Sequence, residues 1–414
     1  MKKLELTSYH GFSSLKSIDA AQERLVIFKK ILGVKSNTEL IQKIKSNPKD
    51  LEKSILKLYS KIGPRSLGIN PTPYCNRKCT FCSSEQRNEI NIADGIEISE
   101  AKLKSLLSDF ESISGKGVVL VGGGEALLAC KGKLNEIVFE YNLHYGMNTN
   151  GVNLDKFNNK KFIKKLSWVS ISILADTKKL YNKVGRLPAD SDQFEILEKN
   201  IKDLLRLTKN TNTYVSAKIM ICRENFLFAG RIYNYIKNLG FKDIALRCVN
   251  NFEPERTYRN RKLKYQDVEL NSDQKKRLYN ILKKETDIRQ EEIENITGIK
   301  KNKTIPCISK TGICWNILLG LIANIDTDGN VYLCNPHLGE NNFEIGNINK
   351  SSFKKIWASK KHVDVVMKTV FNSKNCNLSK CRHARVNETI DLFLHKHIKL
   401  SDRTKGDKLM SYFP

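Results

Sequence analysis

The sequence predicts an α/β fold: a partial, TIM-like (β/α)6 barrel with an N-terminal helical extension and a small C-terminal α+β domain. Three observations predict it. Six short apolar strand patterns alternate with amphipathic helical patterns between residues 67 and 250. The stretch before them, residues 1–66, shows only helical periodicity. The last five of the eleven cysteines are gathered beyond residue 306.

Residues 12–62 read as helical. Asn37 is placed to cap a helix starting at Thr38, and Asn47-Pro48 is a cap followed by proline at the first helical position. Leu51, Ile55, Leu58 and Ile62 then recur at helical spacing, and Gly63-Pro64 closes the unit. Strands are expected at Leu67–Asn70, Gly117–Val121, His144–Asn148, Trp168–Leu174, Tyr214–Cys222 and Ile244–Val249. Helices are expected at Ser99–Glu111, Leu134–Tyr141, Leu154–Leu166, Phe194–Thr208 and Asn225–Leu239. Six such units (residues 67–250) imply a parallel sheet whose active site lies at the carboxyl ends of the strands. Residues 251–306 form a charged bridge, helical around Ser272–Lys284. Residues 307–385 form the small C-terminal domain, and 386–414 a tail opening with a helix at Glu388–His395.

Hydrophobic residues make up 40% and charged residues 28% of the chain, which excludes a disordered protein. No apolar run approaches the ~18 residues of a membrane span. Met1-Lys2-Lys3-Leu4-Glu5-Leu6 lacks the apolar core of a signal peptide, so a cytoplasmic protein is expected. In that setting clustered cysteines point to metal binding or chemistry, and an odd total cannot pair fully as disulfides. The net charge of +27 admits a nucleic-acid or acidic partner. General lysine abundance accounts for it without such a partner, no aromatic–basic alternation of a single-strand binder is present, and nucleic acid is not the expected partner.

The first cysteine cluster reads Pro71-Thr-Pro-Tyr-Cys75-Asn-Arg-Lys-Cys79-Thr-Phe81-Cys82, directly after the first strand. Thiolates suit zinc or iron–sulfur clusters. A [4Fe–4S] cluster normally takes four, so three local thiolates leave one iron open to a substrate or cofactor. A zinc knuckle with a distant fourth ligand is the alternative. The C-x3-C-x2-C spacing, with an aromatic residue before the third cysteine, resembles the signature of the radical S-adenosylmethionine superfamily. The resemblance implies a [4Fe–4S] cluster on Cys75, Cys79 and Cys82 whose open iron chelates S-adenosylmethionine. It implies further that one-electron reduction yields a 5′-deoxyadenosyl radical, which abstracts a hydrogen atom from substrate.

Other turns extend the resemblance, and with it the implied cofactor contacts. Val121-Gly122-Gly123-Gly124-Glu125 follows the second strand and looks like the family's Gly-Gly-Glu motif, with Ala126 where proline is common. Thr149-Asn150-Gly151 looks like a turn common in the family. Ser172 resembles a family serine that contacts cofactor ribose or carboxylate, and Arg186 lies where an arginine often pairs with the cofactor carboxylate. The aspartate often found two residues beyond that serine is Leu174 here, with Asp176 displaced. The implied cofactor contacts are therefore Phe81, Gly123, Gly124, Glu125, Asn150, Ser172 and Arg186.

The second cluster comprises Cys307, Cys314, Cys334, Cys376 and Cys381. Asp328-Gly329 between alternating residues signals a hairpin, which is expected to bring Cys314 and Cys334 together. Ile345-Gly-Asn347 and Phe353 to Trp357 read as a strand and a short helix. The Cys-x14-Gly-x4-Cys piece resembles the auxiliary iron–sulfur domains known as SPASM and, in shortened form, twitch. The resemblance implies one further [4Fe–4S] cluster, assigned to Cys314, Cys334, Cys376 and Cys381, with Cys307 as contender. A structural zinc site is the alternative. Either cofactor is expected to fold this region, which shows few other apolar anchors. His383 is a further candidate ligand.

Cys130 and Cys222 read as buried apolar residues. Cys248, ending the sixth strand, either packs likewise or returns a hydrogen atom to a substrate radical. The expected function is oxidation or epimerisation of a small molecule such as a sugar or aminocyclitol. Peptide maturation by cross-link or thioether formation is the alternative, and a non-enzymatic iron–sulfur or zinc protein binding nucleic acid is the alternative of another class. The resemblance also implies a flavodoxin- or ferredoxin-like electron donor.

Overall fold

The computed structural model describes residues 16–157, 160–249, 255–264, 267–299, 311–371, 381 and 383–395. Strands β1 (Ser66–Ile69), β2 (Gly117–Leu120), β3 (His144–Thr149), β4 (Leu166–Ser172), β5 (Tyr214–Ile221) and β6 (Ile244–Cys248) lie where their apolar patterns place them. Each pairs in parallel with the next. The crossovers are helical: Glu100–Ser112, Leu134–Phe139, Lys160–Lys165, Lys178–Gly185, Gln193–Thr208 and Ala229–Asn238. This is the expected partial barrel.

The remaining strands depart from expectation. A hairpin of β7 (Glu255–Tyr258) and β8 (Arg261–Lys264) interrupts the bridge, which was expected to be helical. Its turn residues Arg259 and Asn260 both take positive φ, 49° and 63°, and an Arg-Asn pair carries only part of the usual hairpin signal. Strands β9 (Ile322–Ile325), β10 (Asn330–Tyr332) and β11 (Glu344–Asn347) do not form a sheet of their own. β9 pairs in parallel with β1, and the sheet order is β11-β10-β9-β1-β2-β3-β4-β5-β6. The barrel wall is thereby lengthened by one parallel strand supplied from the C-terminal region.

Burial explains the docking. Trp315, Leu318, Leu321, Ala323, Ile325, Val331, Phe353, Trp357 and Val363 are all buried, and they belong to the same apolar core as the barrel. The expectation of few apolar anchors is thus corrected: the region shares an apolar core with the barrel, and such burial is worth ~25 cal/mol per Å2. The N-terminal helices Lys16–Leu32, Asn37–Ser46 and Pro48–Lys61 cover the same side. Ser36 rather than Asn37 caps the second, because its hydroxyl and the Glu39 carboxylate form a reciprocal capping box. Asn47 caps the third, with Pro48 at its start.

The helix Lys360–Val370 joins the two regions through His362. Its ring stacks on Tyr59 at 4.2 Å, and its Nδ1–H donates to the Trp357 carbonyl at 2.6 Å. Burial drives the imidazole down to about 3. The folded value lies below that of free histidine, about 6.5, so the unfolded chain takes up the proton first as pH falls. Stability present above about pH 6.5 is therefore lost towards pH 3, by up to about 1.4 kcal/mol per unit. Urea midpoints of the cluster-free chain measured at about pH 7 and about pH 5 should fall on acidification, and His362→Met should remove that share of the slope.

Candidate active site

The cysteine loop begins where β1 ends. Pro71 and Pro73 hold the chain extended, and the segment runs alongside the glycine turn after β2: Gly124 N–H donates to the Thr72 carbonyl and Glu125 N–H to the Tyr74 carbonyl, each at 2.8 Å. Gly122 and Gly123 take φ of 136° and 101°, which exclude other residues. A Cβ on Gly124 would lie 2.0 Å from the Tyr74 carbonyl oxygen. Gly124→Ala should therefore displace the cysteine loop, and the expected outcome is loss of most cluster iron after reconstitution, measured by iron assay.

Three neighbours fix the loop. Lys78 and Thr80 donate their N–H groups to the Gly185 and Val184 carbonyls at the end of the helix Lys178–Gly185. Buried Arg77 donates to Tyr181 Oη at 3.0 Å and lies over its ring. Asn150 donates to Asn76 Oδ1 at 2.6 Å and lies 4.0 Å from Cys75 Sγ. Cys75 is exposed at the mouth, whereas Cys79 and Cys82 are half-buried. Burial pushes both of the latter thiols up, and each feels the charge of a neighbouring cysteine. Coordination to a cation removes that cost of ionisation, and three soft donors on one loop suit an iron–sulfur cluster. Among the described residues no group of three or more His, Cys, Asp or Glu is gathered as around a single metal ion.

Several expected cofactor contacts have partners within the protein. Glu125 is buried and accepts Thr149 Oγ1 and Asn150 N–H at 2.7 Å each and Leu127 N–H at 3.2 Å. Its carboxylate ties the turn after β2 to the turn after β3. Arg186, in a left-handed cap, pairs with Glu85 at 2.8 Å. Asp176 pairs with Arg231 at 2.7 Å. Phe81 is half-buried against the core, and Ser172 is half-buried at the end of β4.

Strand register sorts lumen from outer face. Asn148 is level with Ser170, Ser172 with Lys218, and Met220 with Arg247. Lys218 Nζ donates to Asn148 Oδ1 at 2.9 Å across the lumen. Cys248 is level with Ile221, which is fully buried. Burial pushes its thiol up to about 12. Cys248 is partly buried against the apolar core, which fits the packing reading of this thiol better than the hydrogen-donor one.

Sequence reasoning missed the helix Glu85–Ala93, which follows the cysteines. Its inner face is polar, so hydrophobic periodicity is blind to it. Asn88 donates to the Gly123 carbonyl at 2.5 Å, Asn91 accepts from Tyr258, and Arg87 pairs with Asp326 at 2.8 Å. Asp326 itself, buried at the carboxyl end of β9, was also missed. The Ser84 that precedes this helix was the available signal.

In the C-terminal region Cys314 is not on the hairpin, contrary to expectation. It precedes the helix Trp315–Leu318, and Asn387 Nδ2 lies 3.6 Å from its sulfur. Cys334 follows β10 and packs with Tyr332 and Phe343. Cys381 is half-buried. Cys307 and Cys376 lie outside the described residues.

Residues 69–215 match the model of the Radical SAM superfamily, and residues 314–383 match that of the SPASM iron–sulfur cluster-binding domain. Among solved structures the chain is similar to native anSMEcpe with bound AdoMet (TM-score 0.50, 19% identity, covering 78% of this chain and 88% of that one). It is similar also to a polyhistidine-tagged form of anSMEcpe with bound AdoMet (TM-score 0.51, 18% identity, 84% and 99% covered). Streptococcus suis SuiB bound to S-adenosylmethionine follows at TM-score 0.49 and 13% identity, with 82% and 76% covered. No curated protein matches the chain.

Proposed function

This chain is a radical S-adenosylmethionine enzyme with a SPASM iron–sulfur domain, and from that premise we propose that it oxidises a polar small molecule held in the barrel lumen. The observation that carries the reading is that the loop bearing Cys75, Cys79 and Cys82 is bonded through Thr72, Tyr74 and Asn76 to the Gly122–Glu125 and Thr149–Gly151 turns. Cys75, Cys79 and Cys82 hold the cluster. With S-adenosylmethionine bound, the cluster that these residues would hold would supply radical chemistry for removing a hydrogen atom from substrate.

The chain's own residues hold and orient. The backbone of Gly122–Gly124 lets the cofactor approach, and Glu125 acts through Thr149 and Asn150. Asn148, Ser172 and Lys218 give the lumen its polar lining. With Cys248 packed against the apolar core, oxidation is favoured over epimerisation. Cys314, Cys334, Cys376 and Cys381, with Cys307 as contender, hold the auxiliary cluster. The electron donor is of the flavodoxin or ferredoxin class, and the enzyme acts in the cytosol, where its thiols stay reduced.

The test is 5′-deoxyadenosine release by the reduced, anaerobically reconstituted protein, with iron counted alongside. About eight irons per chain supports two [4Fe–4S] clusters, and about four denies the second. A metabolite filtrate should stimulate release. Stimulation by a retained peptide fraction alone would overturn the small-molecule reading.

A further inference from the structure

The polar inner face of the helix Glu85–Ala93 meets the auxiliary region at one buried carboxylate. Asp326 is 2% exposed. Its Oδ2 accepts Arg87 Nη1 at 2.8 Å, and its Oδ1 accepts Asn70 Nδ2 at 2.9 Å. These three residues come from the auxiliary strand β9, the helix following Cys82, and the end of β1. Asn70 and the chain neighbours of the other two, Thr327 and Asn88, reach Gly123. Asn88, beside Arg87, donates to the Gly123 carbonyl. A Cβ on Gly123 would lie 2.9 Å from Thr327 Oγ1 and 3.4 Å from Asn70 Cβ, so both residues close on the turn.

We propose that Asp326 is a positioning residue through which the auxiliary region sets the glycine turn that receives S-adenosylmethionine. The inference rests on the functional reading above and adds a coupling to it. A carboxylate buried without its cation is costly, as is the cation without its carboxylate, so the pair holds only when β9 is docked beside β1. Arg87 then fixes the helix that carries Asn88, and Asn70 and Thr327 close on Gly123. The cofactor turn is therefore shaped by a strand about 200 residues away in sequence.

The test compares the reconstituted wild type with Asp326→Asn, and with a double variant, Asp326→Leu with Arg87→Met, that removes both buried charges. Three quantities are read: thermal midpoint, S-adenosylmethionine affinity, and hydrogen exchange of the Gly124 and Glu125 amides. Asp326→Asn should weaken affinity about tenfold and speed exchange at those two amides. The double variant should regain the midpoint without regaining the affinity. Wild-type affinity and exchange in Asp326→Asn, or recovery of both midpoint and affinity in the double variant, would overturn the proposal. Should the wild type release no 5′-deoxyadenosine and bind no S-adenosylmethionine, the functional reading falls, and the exchange measurement still decides whether Asp326 sets the turn.

Discussion

Cys75→Ala, Cys79→Ala and Cys82→Ala should each abolish release of 5′-deoxyadenosine, by at least about a thousandfold, or roughly 4 kcal/mol of activation free energy. The size follows from the donor set. Each cysteine is one of the three proposed ligands on a single loop, and with one lost the remaining two would leave two irons of the cluster unligated by protein. The loop itself should survive. Its backbone is fixed by Thr72, Tyr74, Lys78 and Thr80 through main-chain bonds that involve no thiol. Circular dichroism of each variant should therefore match wild type while cluster absorbance and product are lost. Release persisting in the triple variant would remove the central assignment.

Trp357→Ala should be the most damaging single change to stability, at about 3–5 kcal/mol. The ring is 1% exposed, packs against Tyr59, Phe353 and His362, and donates Nε1–H to the Ile62 carbonyl at 3.0 Å. Its loss leaves a cavity and an unpaired buried carbonyl. The wider consequence concerns cooperativity. Trp357 lies in the auxiliary region, Ile62 ends the N-terminal helices, and the core is shared with the barrel. Thermal unfolding followed by far-ultraviolet dichroism and by cluster absorbance should therefore shift together in the variant. A separate early transition confined to one probe would contradict the shared core.

Local signals carried much of this fold. The β1 to β6 strands and most crossover helices are visible as alternation and helical periodicity, because each has an apolar core face of its own. Gly122 and Gly123 also announce themselves, since their positive φ is one that other residues rarely adopt. The Glu85–Ala93 helix escaped because it buries asparagines and an arginine where periodicity looks for leucine. The bridge hairpin escaped because its turn is Arg-Asn.

By itself, the sequence determined the barrel class, the thiol triplet and the chemistry that three soft ligands on one loop allow. Only the tertiary structure decided that β9 joins β1, that Asp326 meets Arg87, that Glu125 accepts from Thr149 and Asn150, and that Cys248 is level with Ile221. The physical reason is common to all four. A ligand triplet within eight residues is a short-range property of the chain. Strand register, sheet order and the partner of a buried charge are settled by which distant surfaces exclude water together, and a shift of one residue reverses the face that a side chain presents.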